Sequence, residues 1–159
     1  MNDVKCLVYG YGNPGRQDDG LGVELAIRLE NDLHLSKYID VDYNYQLNIE
    51  DALTISKYDF VIFADAALNI DRPYQLIKIQ PTHTITFTSH SMSAESILAL
   101  CQELYNKYPE SYLLAIRGYE WEIGLPMTDM AKENLNIAYQ FITDFIKNQL
   151  FYFITTRFN

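Results

Sequence analysis

Cysteine is almost missing from this chain of 159 residues. Only Cys6 and Cys101 carry thiols, each inside an apolar run. Neither a disulfide framework nor a Cys-x-x-Cys metal site can be built from them, and both are expected as buried free thiols. Histidine is scarce as well, limited to His34, His83 and His90. No His-Glu-x-x-His helix, Gly-x-Ser-x-Gly elbow or Walker lysine loop is present, which removes three common catalytic designs. Basic residues are outnumbered, 12 Lys and Arg against 21 Asp and Glu, for a net charge of −9. Phosphate neutralisation needs clustered Lys and Arg, so nucleic acid is excluded as a partner, and the thirteen tyrosines include no spaced base-stacking set. The acidic balance suits an encounter with a basic peptide or a metal ion instead. No apolar run approaches the ~20 residues of a membrane span, and no basic region with an apolar signal core follows Met1. A cytoplasmic location and no membrane partner are expected.

What is present reads as one globular domain over residues 1–159, with 48% hydrophobic and 21% charged residues and no repeat, linker or low-complexity segment. Short apolar runs alternate with helical patterns, the mark of an α/β domain with a largely parallel sheet. Strands are predicted at 5–9, 39–43, 60–65, 74–79, 84–88 and 112–116. Helices are predicted over 18–33, with Leu21, Leu25, Leu29 and Leu33 on one face, and over 49–56. A third starts at Ser93, carries Ile97, Cys101, Leu104 and Tyr108, and stops at Pro109; the last covers 128–148. Ser93 is expected to cap the third helix, with Glu95 in its first turn. The apolar, aromatic tail 149–159 is expected to pack back on the domain, with an oligomer contact as the alternative; a monomer is expected.

The richest segment is the turn from Gly10 to Gly22, which leads from the first strand into the first helix. Gly10-x-Gly12-x-x-Gly15 matches the dinucleotide fingerprint, in which pyrophosphate sits on free N–H groups at a helix start. Asp18 and Asp19 oppose that reading. A like-charge contact at 4–5 Å costs roughly 1 kcal/mol in water and several times more when shielded. Asp40 and Asp42 also lie too far along for the ribose acid. A nucleotide-binding module using Gly10, Gly12 and Gly15 stays as the alternative. Asp18 reads as a helix cap. A second acid followed by Gly20 and Gly22 exceeds what capping requires, and the glycines are read as leaving room for something to approach Asp19.

Asp65 closes the most apolar run, 60–64, which places it at the carboxyl end of a buried strand, where open sheets collect ligands. An Asp capping a local turn is the alternative. His90, in Thr88-Ser89-His90-Ser91, lies between a short strand and a helix start, on the same predicted rim. Asp19, Asp65 and His90 together offer two carboxylates and an imidazole, a set suited to a first-row transition ion with positions left open.

Gly10-Tyr11-Gly12-Asn13-Pro14-Gly15-Arg16-Gln17-Asp18-Asp19-Gly20-Leu21-Gly22 closely resembles the opening motif of the NiFe-hydrogenase maturation endopeptidases. The likeness continues through Tyr45-Gln46-Leu47, Val61-Ile62-Phe63-Ala64-Asp65-Ala66, Ser89-His90-Ser91-Met92, Gly118-Tyr119-Glu120 and Gly124-Leu125. It implies a phosphorylase/hydrolase-like three-layer α/β/α sandwich with a twisted, mostly parallel five-stranded sheet. It also implies a processing enzyme that removes the C-terminal extension of the NiFe-hydrogenase large-subunit precursor once nickel is inserted. The family's metal-contacting positions fall on Asp19, Asp65 and His90, with nickel delivered in the precursor, and Asp18 is then expected to orient Asp19 from behind. The chain departs from the family pattern at Gly15, where a bulky apolar residue is usual, and at Pro126, where Ser or Thr is usual. A relative that docks a large subunit without cutting it is a further alternative.

Overall fold

The computed structural model describes residues 4–82 and 92–157. Its five strands are β1 (Cys6–Tyr11), β2 (Ile39–Asn44), β3 (Phe60–Ala67), β4 (Tyr74–Ile79) and β5 (Glu110–Arg117). They form one sheet in the order β2-β1-β3-β5-β4. β2, β1, β3 and β5 run parallel, and β4 lies antiparallel to β5 at the edge. The predicted strand at 84–88 lies outside the described residues. The helices are α1 (Leu21–Glu30), α2 (Asp51–Ile55), α3 (Ala94–Tyr105) and α4 (Asp129–Arg157). No helix among the described residues is long and apolar enough to cross a membrane.

Side chains alternate across a strand, so each strand feeds two cores. Val8, Ile62, Ala64 and Ile116 pack under Leu21, Leu25 and Leu29 of α1 and Ala131, Leu135 and Ile142 of α4. Leu7, Tyr9, Val61 and Phe63 face the opposite layer, against Ile55 of α2 and Ile97, Leu98 and Cys101 of α3. Burial on both faces is why the central strands read as unbroken apolar runs. The result is the expected three-layer α/β/α sandwich with a mostly parallel five-stranded sheet. Cys6 and Cys101 are free and buried. Burial pushes the Cys6 thiol up to about 12 and the Cys101 thiol to about 11, so neither is nucleophilic at neutral pH.

Several element ends differ from the predicted ones. The first helix starts as a 3-10 turn, Gln17–Gly20, before α1, and stops short of Leu33, which is exposed. α3 ends at Tyr105, where Asn106 adopts the left-handed conformation (φ 51°), so Tyr108 lies beyond the helix; Leu104, in its last turn, is exposed rather than part of the core stripe. The tail extends the last helix rather than turning back as a separate segment, and of it Leu150 packs against the core. No glycine or proline interrupts 129–157, and α4 continues as one helix that leaves Phe151 and Tyr152 69% and 60% exposed.

Two glycines let α1 sit directly on the strand ends. A Cβ on Gly22 would lie 2.7 Å from the Ala64 carbonyl carbon and 2.9 Å from the Tyr11 carbonyl oxygen. A Cβ on Gly10 would meet the Gly22 backbone and lie 2.9 Å from Ala26 Cβ. Gly20 similarly admits Pro14. Gly20 and Gly22 thus serve backbone contact, which corrects the reading that they open space around Asp19. Gly22→Ala is expected to lower stability by about 1–3 kcal/mol through overpacking, measured as a lower urea midpoint with an unchanged denaturant slope.

Candidate functional site

β1 and β3 are neighbours whose outgoing connections diverge, through α1 to β2 on one side and to β4 beyond β5 on the other. The crevice beyond the carboxyl ends of such a pair is the ligand position of open α/β sheets. Gly10 is paired with Ala64, so Asp65 emerges beside Tyr11. Asp19 reaches the same edge from the 3-10 turn after β1.

Each carboxylate is half-buried and held by a donor. The Asn13 N–H donates to Asp19 Oδ2 at 2.9 Å. Gly12, at φ +135°, brings its backbone against the Asp19 carbonyl, a conformation and a closeness that a side chain would prevent. Burial raises Asp65 from an ordinary 3.8 to about 7, and the negative charge of Asp19 pushes the same way. The Ala66 N–H and the Tyr11 hydroxyl, donors beside it, partly offset this rise. Burial, Asp65 and Glu95 hold the Tyr11 hydroxyl well above its usual range, so the charge of Glu95 at the start of α3 is felt at this edge. Sequence reasoning missed Tyr11, and took Glu95 only for a first-turn acid. The in-register neighbour of Asp65 was the available signal for Tyr11.

Asp19 and Asp65 are therefore brought to one edge, as expected. His90 lies outside the described residues, as does His83. α3 does begin as predicted, with the Ser96 N–H donating to Ser93 Oγ at 3.1 Å, and Met92 before it is buried. Among the described residues no group of three or more His, Cys, Asp and Glu is placed to hold a metal ion. The donor chemistry of the two acids nonetheless suits a divalent cation. Burial and the Asp19 charge disfavour ionisation of Asp65, and a cation between the two acids would relieve both effects.

Asp18 does something else. It is fully buried, and its carboxylate accepts from the N–H groups of Tyr119 (2.7 Å), Glu120 (3.1 Å) and Thr128 (2.8 Å) and from Thr128 Oγ1 (2.8 Å). Neither local capping nor direct contact with Asp19 is its role; it fastens the loop between β5 and α4 to the first turn. Gln17, at φ 46°, extends the junction: Oε1 accepts from the Glu122 N–H at 2.8 Å and Nε2 donates to the Pro126 carbonyl at 3.2 Å. Arg16 Nε donates to the Trp121 carbonyl, and the Gly124 N–H to the Gly15 carbonyl.

The nucleotide alternative loses its cradle here. The Gly12 N–H donates to the Asn44 carbonyl and the Asn13 N–H to Asp19. The Gly15 N–H donates to Asn13 Oδ1, and the N–H groups of Arg16, Asp18 and Asp19 are taken by backbone carbonyls. These donors are turned into the loop instead of toward a phosphate.

No protein-family model matches the chain, and no curated protein matches it. Solved structures do. The NiFe-hydrogenase maturation protease HycI from Thermococcus kodakarensis KOD1 matches at 19% identity, over 92% of this chain and 95% of that one, with a TM-score of 0.71. The hydrogenase maturating endopeptidase HybD from E. coli matches at 17% identity, over 92% and 94%, with a TM-score of 0.72. A hydrogenase 3 maturation protease matches at 21% identity, over 86% and 88%, with a TM-score of 0.64. The fold of this chain is the fold of those proteins, the one its sequence resemblance implied.

Two predictions follow from the geometry. Removing the Asp18 carboxylate leaves buried N–H groups without acceptors, so Asp18→Ala is expected to cost about 2–4 kcal/mol. Amide exchange should accelerate across 118–128 well before it does in β1 or β3. For Asp65 the folded state binds a proton more tightly than the unfolded chain, so its unfavourable contribution is absent below about pH 4. It grows as pH rises and levels off above about 7. At about 1.4 kcal/mol per pKa unit the whole effect is roughly 4 kcal/mol, and partial exposure reduces it to roughly 2. Asp65→Asn should therefore melt higher than the wild type at pH 8 and match it near pH 4, as followed by thermal denaturation of the metal-free protein.

Proposed function

We propose that this chain belongs to the NiFe-hydrogenase maturation endopeptidases and removes the C-terminal extension of a hydrogenase large-subunit precursor after nickel insertion. The observation that carries this reading is the meeting of Asp19 and Asp65 at the carboxyl edge of β1 and β3, within the segments that resemble that family. The shared fold with proteins described as hydrogenase maturation proteases supports it.

In this proposal nickel is part of the substrate. It arrives bound to the precursor and is shared with Asp19, Asp65 and His90, which act as a check that the metal is loaded. The ion also draws electron density from the scissile carbonyl. Water adds to the carbonyl carbon, the C–N bond breaks, and the released amine takes up a proton. A weak standing affinity for free metal suits this design, because the precursor contributes the remaining ligands. Asp18 takes no part in the chemistry. It holds the turn and the late loop together, so that the edge carrying Asp19 does not move when the substrate arrives.

The test follows the mass of the large subunit after incubation with nickel-loaded and nickel-free precursor. Shortening of the loaded precursor only is expected, and Asp19→Ala, Asp65→Ala and His90→Ala are each expected to slow it at least about 100-fold, or roughly 2.7 kcal/mol. Equal cutting of both precursors, or full activity in any of these variants, would overturn the proposal.

A further inference from the structure

The opposite edge of the sheet has a different character. Lys5, Lys37 and Lys57 surround an open pocket of about 270 Å³ at the amino ends of β1 and β2. Lys57 and Tyr58 also line an adjoining pocket of about 220 Å³, completed by Lys107 and Tyr108. Four of the seven lysines of an acidic protein thus meet on one short groove. All four are exposed. The ion pairs among the described residues are Arg72–Asp71, Lys78–Glu110 and Lys132–Asp129, none of which involves them. Two carboxylates lie in the groove, and both have donors: Tyr58 Oη donates to Asp40 at 2.8 Å, and the Lys5 N–H to Asp59 at 3.0 Å. Four lysines therefore line a groove with two engaged carboxylates, with Asp42 beside it and Glu110 next to it paired with Lys78, a local reversal of the overall sign.

We propose that this groove binds an acidic segment of polypeptide. A lysine cluster of this kind attracts a short run of carboxylates and orients its approach. Tyr38 and Tyr108, 62% and 48% exposed, add ring faces of the kind that protein interfaces favour, the Tyr108 hydroxyl itself donating to Gln80 Oε1. Nucleic acid fits less well. Its charge extends well past the ~8 Å over which the cluster acts at physiological salt, and beyond that range it meets a protein of net charge −9. The groove lies roughly 20 Å from Asp19 and Asp65, the length of six strand residues. Binding there is independent of the endopeptidase reading.

The experiment is a fluorescence-anisotropy titration of fluorescein-labelled hexaglutamate with the intact protein, at about 50 mM and about 200 mM salt. Salt-sensitive binding is expected. Lys57→Glu/Lys107→Glu should weaken it at least about tenfold, whereas Lys132→Glu/Lys147→Glu, an equal charge change on α4, should weaken it by no more than about twofold. Equal losses in the two variants would reduce the effect to net charge and overturn the proposal. Absence of binding by the wild type would overturn it as well. So would tighter binding of a thymidine decanucleotide or of phosphatidylglycerol vesicles than of hexaglutamate. Thermal melting establishes that both variants fold, and Lys37→Glu repeats the comparison if the first pair does not.

Discussion

The Asp18 carboxylate accepts four hydrogen bonds from the 118–128 loop while fully shielded from water, and the geometry of the candidate site rests on that junction. A buried charge without such donors would destabilise the fold by several kcal/mol. With them, it becomes a cross-link between segments a hundred residues apart. Asp19 follows directly in the same 3-10 turn, so its backbone cannot shift without breaking the bonds of Asp18. Gln17 and Arg16 add contacts to the same loop, and Gly20 and Gly22 seat the turn against Pro14 and Ala64. The edge of the sheet is consequently stiff where the two other acids meet.

Adjacent acids with opposite surroundings divide two tasks. Asp18 is saturated with donors and removed from solvent, so nothing further can approach it. Asp19 has one oxygen held by the Asn13 N–H and remains half-exposed, facing an Asp65 that burial has already made reluctant to ionise. A like-charge pair of this kind weakens the resting fold, and a rigid scaffold is what keeps the two from moving apart. A perturbed acid in a crevice of this kind is the mark of a candidate functional site.

The layers of the fold were legible because burial on both faces leaves unbroken apolar runs, such as 60–64, and because helix stripes such as Leu21, Leu25 and Leu29 recur at the right period. The Asp19 and Asp65 positions were legible for the same reason: strand ends locate the ligand edge. Helix ends were less so. Asn106 stops α3 by a left-handed backbone, which composition alone does not announce. The function of Asp18 was invisible because its partners are 101 to 110 residues away, and a local reading offers only a cap. Gly15 and Pro126, remote in sequence, likewise meet at this one junction: the Gly15 carbonyl accepts from the Gly124 N–H and the Pro126 carbonyl from Gln17 Nε2.

The exposed edge of β2 is partly closed to an added strand. Asn44 points its carbonyl at Gly12 of the first turn, so the N–H groups of Tyr43 and Tyr45 point away from the sheet. Both are already taken, by Asp42 Oδ1 and Asn44 Oδ1 at 2.8 Å, and the Ile39 N–H is taken by the Leu35 carbonyl. An edge partly satisfied by local acceptors offers less to an incoming strand, and the negative charges of Asp40 and Asp42 disfavour it further. Lateral addition of a peptide to β2 is thereby blunted. The carboxyl ends of β1 and β3, where the backbone bends away into the turn, carry Asp19 and Asp65 instead.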